Sequence, residues 1–431
     1  MTVPFDARSR RSVVPGPIGS PRDAQHQFPK GPRLSPQPTQ RRTQTNVRAS
    51  GNSSVRPGAM WWSPHAIGMA VVITIIVAVG LVFVASSSSV MSLNRYGSSW
   101  YIFRRQVQWV GLGVLCMSVS VVIPYQRWQR FAFVLFGLTW VATFSTLIVG
   151  ISRNGSKRWI GPDSIALQPS ESLKFATIIG LASLFLVVAD KPDRDRLLTH
   201  QVLVAGAVIL GPVALQPDMG TMIILAIILL AMTLYVGLAA RDFAKIGAFG
   251  ASLALLFAVL EPYRRDRLLA FRHPERDLDG IGYHVMQSKL GFASGRLFGV
   301  GVGASKAKWG FLPNSHTDFI FAIIGEELGL VGAGLVLFLF LGLAFLGMQT
   351  ARRAPDRFGA LVAVGITAWL FSQAIINMGA VVGALPVTGV PLPLISVGGS
   401  SFVVLMAALG VLLNIARSGR RVDASSRRNI V

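Results

Sequence analysis

FIFAIIGEELGLVGAGLVLFLFLGLAFLGM, Phe319 to Met348, carries only two charges, Glu326 and Glu327. From Leu330 to Met348 there is no polar side chain at all. A helix at the surface of a soluble domain repeats a polar face every three to four residues. A helix crossing a bilayer needs about 20 apolar residues in a row. This stretch therefore reads as a membrane span.

The same signal recurs along the chain. Spans are predicted at 65–87, 106–124, 131–151, 172–190, 201–217, 220–239, 242–260, 319–349, 359–384 and 399–416. The composition agrees, at 52% hydrophobic and 14% charged residues, where a soluble domain has about 25% charged. The expected fold class is an all-α integral membrane protein of about ten transmembrane helices, with a large loop, 261–318, between the seventh and eighth. A lone cysteine, Cys116, excludes an intramolecular disulfide and a cysteine metal cluster. The net charge of +22 reads as topology and contact with membrane lipids, with no nucleic acid implied.

Residues 1–60 hold nine prolines, ten Lys or Arg and two Asp without apolar periodicity, and read as a disordered basic tail. Residues 61–416 form the membrane domain, and 417–431 a second basic tail. An even number of spans puts both termini on one side. The tails, YQRWQR (125–130), DKPDRDR (190–196), ARDFAK (240–245) and TARRAPDR (350–357) fall on that side, which the positive-inside rule makes cytoplasmic.

The opposite face holds ISRNGSKRWIGPDS (151–164), QPDMG (216–220), the 261–318 loop and PVTGVPLPLISVGGSS (386–401). Two of these loops are basic against the topology signal, through Arg153, Lys157 and Arg158, and through Arg264, Arg265, Arg267, Arg272, Arg296, Lys306 and Lys308. An anionic substrate on the outer leaflet is the natural reason. In YRRDRLLAF (263–271), Arg264 and Arg267 share a helical face, suited either to lipid headgroups or to clamping phosphate. GVGVGAS (299–305) lacks the strand and GK[ST] of a phosphate loop and reads as plain loop.

Spacing alone leaves the candidate side chains with two readings each. Glu171 and Lys174, at i,i+3, are a structural ion pair or line a polar cavity. Glu326, eight residues past Asp318, is expected about 12 Å deeper at about 1.5 Å per residue. It makes a contact between helices or has a function there. In LPNSHTDFIF (312–321), Thr317 or Asp318 is a helix cap. Alternatively, Asp318 is a general base with His316 as proton partner or orienter.

RWIGPDSIALQPSESLK, LQPDMGT, GYHVMQSKLGFASG, FLPNSHTDFIFAIIGEELGLVG and LPVTGVPLPLISVGGSS together resemble the SEDS family (shape, elongation, division and sporulation proteins), over about 65–416. The wording leans toward its division branch over its elongation branch. The resemblance implies a peptidoglycan glycosyltransferase that polymerises lipid II into β-1,4 glycan outside the cytoplasmic membrane, releasing undecaprenyl diphosphate with inversion. It implies Asp318 as the catalytic residue, Glu171 and Lys174 as the cavity pair, and Arg158 as the Arg of the family's RW. Arg264, Arg267, Lys306 and His316 are further candidates around the substrate by their chemistry. It implies a class B penicillin-binding protein as partner, with other division proteins. A divalent cation, Mg or Mn, is expected as a possible aid to the leaving diphosphate, although no ligand spacing specifies one. Many relatives carry an acidic residue where Asn314 stands, so the role of a second carboxylate at that position does not carry over to this chain. The competing readings are a lipid II flippase or other transporter and a non-catalytic scaffold; charges at the surface, not the midplane, favour chemistry.

Overall fold

The computed structural model describes residues 63–428, apart from 154–155, 163–165, 189–190, 192, 217, 261–266, 268–270, 277–279 and 314. The 1–60 tail, Arg264 and Asn314 thus lie outside the described residues.

The chain is a helical bundle. Its helices are α1 (Pro64–Tyr96), α2 (Tyr101–Val122), the short α3 (Gln126–Arg130), α4 (Ala132–Val149), α5 (Pro169–Val188), α6 (Arg194–Leu215), α7 (Met219–Val236), α8 (Ala240–Leu260), α9 (Ile281–Gly295), α10 (Ile320–Arg352), α11 (Arg357–Val381) and α12 (Ser400–Arg428). Among the described residues, nine are long and apolar enough to cross a membrane: α1, α2, α4 to α7 and α10 to α12. The remaining expected span, the seventh at 242–260, coincides with α8, a helix of 21 residues. The bilayer pattern was thus read correctly from hydropathy.

The bundle has an inside and a lipid side. In α11, α5 and α12, 83%, 78% and 72% of the apolar stretch is buried in protein, against 22% in α2 and 17% in α4. The first three are the inner helices. The outer ones expose Leu115, Leu138 and Ile148, which costs nothing where the solvent is hydrocarbon. Asn414 is a polar side chain whose buried groups are matched. Asn414 on α12 donates to the Val121 carbonyl at 2.6 Å and accepts from Tyr125 N–H at 3.1 Å, fastening the turn after α2.

Three local features depart from the sequence reading. The loop after α4 contains an antiparallel hairpin, β1 (Ile151–Arg153) with β2 (Ser156–Trp159). QPSESLK (168–174) reads in sequence as a helix start with Ser170 at the N-cap, but α5 already starts at Pro169, and Gln168 Nε2 donates to Ser170 Oγ at 3.2 Å. The third departure is a break in α10 at Gly329, whose φ of 68° and ψ of −166° are non-helical. That conformation is essentially restricted to glycine.

The break moves Glu326. Leu330 to Arg352 already rises about 34 Å at 1.5 Å per residue, enough to cross the roughly 30 Å hydrocarbon core. On the neighbouring α11, Arg357 to Asn377 rises about 30 Å, and Asn377 bonds the main chain of Asp318. Both Gly329 and Asp318 therefore sit about one bilayer thickness from the same end. The piece Ile320–Leu328 runs across that end rather than down into the bundle. Glu326 is not about 12 Å deeper than Asp318.

Candidate active site

The loops that join α4 to α5, α6 to α7, α8 to α10 and α11 to α12 meet at that end. Asp318 sits in the turn before α10. It does not cap the helix: the cap position is Phe319, and no side chain bonds there. The turn is held from outside instead. Val397 N–H donates to the His316 carbonyl at 3.0 Å. Ser396 Oγ donates to the Thr317 carbonyl at 2.6 Å, and Asn377 Nδ2 to the Asp318 carbonyl at 2.7 Å.

The Asp318 carboxyl shares its space with two guanidinium groups. Removal from water pushes its pKa up to about 6, and Arg267 and then Arg158 pull against that rise. Arg267 Nη1 donates to the Val387 carbonyl at 3.1 Å. Gly389, at φ 75°, lies between the two charges. A Cβ there would stand 3.7 Å from both Asp318 Oδ2 and Arg267 Nη1. The missing side chain leaves the carboxyl and the guanidinium facing a common gap. Arg158, on β2, pairs with Asp218 at 3.4 Å. Asp218 caps α7 by accepting from Thr221 N–H at 3.1 Å, and its Oδ2 is buried without a hydrogen bond.

His316 is buried. Desolvation first, and the charge of Arg95 second, lower its pKa to about 4. Its Nδ1 has no hydrogen-bond partner. A neutral imidazole beside Asp318 fits orientation better than proton exchange.

Glu171 and Lys174 form a buried ion pair at 2.8 Å. Lys174 also reaches Gln373 Oε1 at 3.3 Å and stands over the Trp369 ring. Gln373 passes the link on to the Pro391 carbonyl at 3.0 Å. Glu171, Gln373, Pro391 and Ser396 line one narrow cavity, so the pair and the Asp318 turn share the 386–398 loop.

Glu326 belongs to a different cluster. Its carboxylate accepts from Ser305 Oγ, from Lys306 N–H at 2.9 Å and from Ala307 N–H at 3.3 Å. Glu327 next to it takes Ser86 Oγ at 2.7 Å and pairs with Lys308 at 3.5 Å. Lys306 is exposed, and its main chain is part of this clamp.

Sequence reasoning passed over Asp218, Asn377, Ser396 and Glu327. A signal existed for one of them. Gln373 and Asn377, at i,i+4 inside an apolar span, are amides that need partners in hydrocarbon. Among the described residues, no three His, Cys, Asp or Glu side chains gather as a metal-ligand group. The charges bearing on Asp318 are cationic. Among the described residues, the charges gathered around Asp318 suit an anion.

Residues 67–421 match the family model described as cell cycle protein, covering FtsW, RodA and SpoVE. The chain is 39% identical over 360 residues to the probable peptidoglycan glycosyltransferase FtsW of Mycobacterium tuberculosis, covering 83% of this chain and 68% of that one. It is 34% identical to stage V sporulation protein E of Bacillus subtilis, over 82% of this chain and 97% of the other. Among solved structures it resembles a chain from work on the coordination of polymerization and crosslinking by a peptidoglycan synthase complex. The TM-score is 0.68 at 26% identity, covering 83% of this chain and 99% of that one. It also resembles the rod shape determining protein RodA of Thermus thermophilus, with a TM-score of 0.61 at 25% identity, covering 81% and 96% of the two chains.

Proposed function

The chain belongs to the SEDS family of FtsW, RodA and stage V sporulation proteins, and from that membership and the Asp318 site we propose that it polymerises lipid II as a peptidoglycan glycosyltransferase. One observation carries the assignment of roles. Asp318 is free of helix-capping duty and faces a gap shared with Arg267.

Asp318 acts as the general base. It takes the proton from the GlcNAc 4-hydroxyl of the incoming lipid II while that oxygen attacks the anomeric carbon of the growing strand. The bond from that carbon to undecaprenyl diphosphate breaks, and the diphosphate leaves with the electron pair. The donor linkage is α, so direct displacement makes the β-1,4 bond. A carboxylate with a pKa of about 6 is mostly ionised at neutral pH, yet basic enough to accept a proton. Arg267 and Arg158 offer guanidinium groups suited to the oxygens of the departing diphosphate. The mechanism routes no step through a protein-bound metal; a divalent cation in the assay would act on the diphosphate.

The loop end faces outward, with both termini in the cytoplasm, as the charge distribution favours. The names of the curated relatives favour septal synthesis during division. A class B penicillin-binding protein is the partner that supplies crosslinking, alongside other division proteins. The test is purified protein with that partner, lipid II and a divalent cation. Glycan polymer is expected from wild type and absent from Asp318→Ala. Polymer persisting in the variant would remove Asp318 from the mechanism.

A further inference from the structure

We propose that Asn377 and Ser396 are positioning residues for Asp318, which act by gripping the main chain of its turn and so aim the carboxyl at the gap beside Arg267. The inference rests on the reading of Asp318 as general base.

The grip covers three successive carbonyls, those of His316, Thr317 and Asp318, each with its own donor. Two donors are side chains whose orientation is forced. Asn377 Nδ2 bonds both the Asp318 carbonyl and the Val390 carbonyl, at 2.7 Å and 2.8 Å. Both partners only accept, so the amide cannot flip without setting oxygen against oxygen. Ser396 Oγ accepts from Leu392 N–H at 2.8 Å, which leaves its proton for the Thr317 carbonyl. Both residues are buried.

An aspartate at a helix start ordinarily turns its carboxylate back onto the helix N–H groups. Here the turn is fixed through its carbonyls, and the carboxyl is left for chemistry. The same loop supplies the Val387 carbonyl to Arg267 and places Gly389 between the two charges. One loop therefore sets both the base and a cation opposite it.

The test compares Asn377→Leu and Ser396→Ala with wild type and with Tyr125→Phe, in full-length protein with its partner and lipid II. Tyr125 bonds Asp356 at 2.6 Å at the other end of the bundle, so its variant reports loss of a structural bond alone. Misaiming a reacting group by about 1 Å costs roughly 100-fold. For Asn377→Leu, kcat is expected to fall about 10- to 100-fold, with KM for lipid II within about twofold. Ser396→Ala, the smaller change, follows in the same direction. The acid midpoint of the kcat profile is expected to move up, because Arg267 and Arg158 are the charges holding it down. The neighbouring faces, 366–381 of α11 and the 382–399 loop, carry no titratable side chain, and His316 stays neutral across that range. If both variants match Tyr125→Phe, melting earlier with wild-type kcat and midpoint, the positioning role is wrong while Asp318→Ala still shows the base to be right. If Asp318→Ala polymerises, both readings fall.

Discussion

Lys174 Nζ lies 2.8 Å from Glu171 Oε1, and neither side chain retains more than 5% of its exposure. Removing one partner of a buried pair strands the other charge, at a cost of about 3–5 kcal/mol. Glu171→Gln and Lys174→Met are each expected to melt well below wild type in detergent. The double variant, which leaves no charge stranded, is expected to recover most of the melting temperature. It should not recover glycan synthesis if the pair also orders the Gln373–Pro391 link. Single variants melting like wild type would show that water reaches the pair.

Asp318 and His316 titrate on opposite sides of their usual ranges. A general base must be ionised, so kcat is expected to rise as pH increases through about 6. His316, at about 4, is neutral throughout that rise. His316→Gln should therefore keep the acid midpoint of wild type. A midpoint that vanishes in His316→Gln would give the limb to the imidazole.

The same shift has a sign for stability. Asp318 binds its proton more tightly folded, about 6, than at its ordinary 3.8. Stability is thus lost as pH rises from 3.8 through 6, where the folded state must give up that proton. Asp318→Asn removes the penalty. It is expected to melt higher than wild type at pH 8 and to lose the advantage below about pH 4, while making no glycan. An equal melting temperature at pH 8 would mean that Arg267 and Arg158 fully offset desolvation.

The spans were legible because hydrocarbon demands long apolar runs, and among the described residues nine of the ten expected runs are helices long and apolar enough to cross. From spacing alone, Asp318 was legible only as one of two readings, cap or base. Helix capping is local and visible in sequence, whereas the grip on Asp318 comes from Asn377, 59 residues away. Asp218 was overlooked for the same reason, since its partner Arg158 lies on a hairpin that no periodicity announced. The break at Gly329 was hidden because Glu326 and Glu327 looked like charges within one continuous span. Their role emerges only once the loop folds back onto them.

Gly329 is therefore a test of that fold-back. Val300 and Gly301 donate to the carbonyls of Glu326 and Glu327, and Leu330 and Val331 donate to Arg296 and Leu297. The loop thus satisfies the backbone groups that the break exposes. A Cβ on Gly329 would lie 2.5 Å from Gly299 N and from the Leu297 carbonyl. Gly329→Ala combines that clash with a disfavoured backbone, which alone costs about 1–3 kcal/mol. A marked drop in melting temperature and loss of activity are expected. A wild-type melting curve would mean the loop yields easily.

Arg158 is held by Asp218, whose carboxylate also caps α7. Asp218→Asn separates these two jobs. The amide oxygen can still accept from Thr221 N–H, so the helix cap survives, but the anion that orients Arg158 is gone. Its melting temperature should stay near that of wild type. If Arg158 binds the diphosphate, KM for lipid II is expected to rise about 10-fold, equivalent to about 1.4 kcal/mol. Arg158→Lys, which keeps the charge but loses the planar fork, should show a similar or larger rise. An unchanged KM in both variants would leave diphosphate recognition to Arg267.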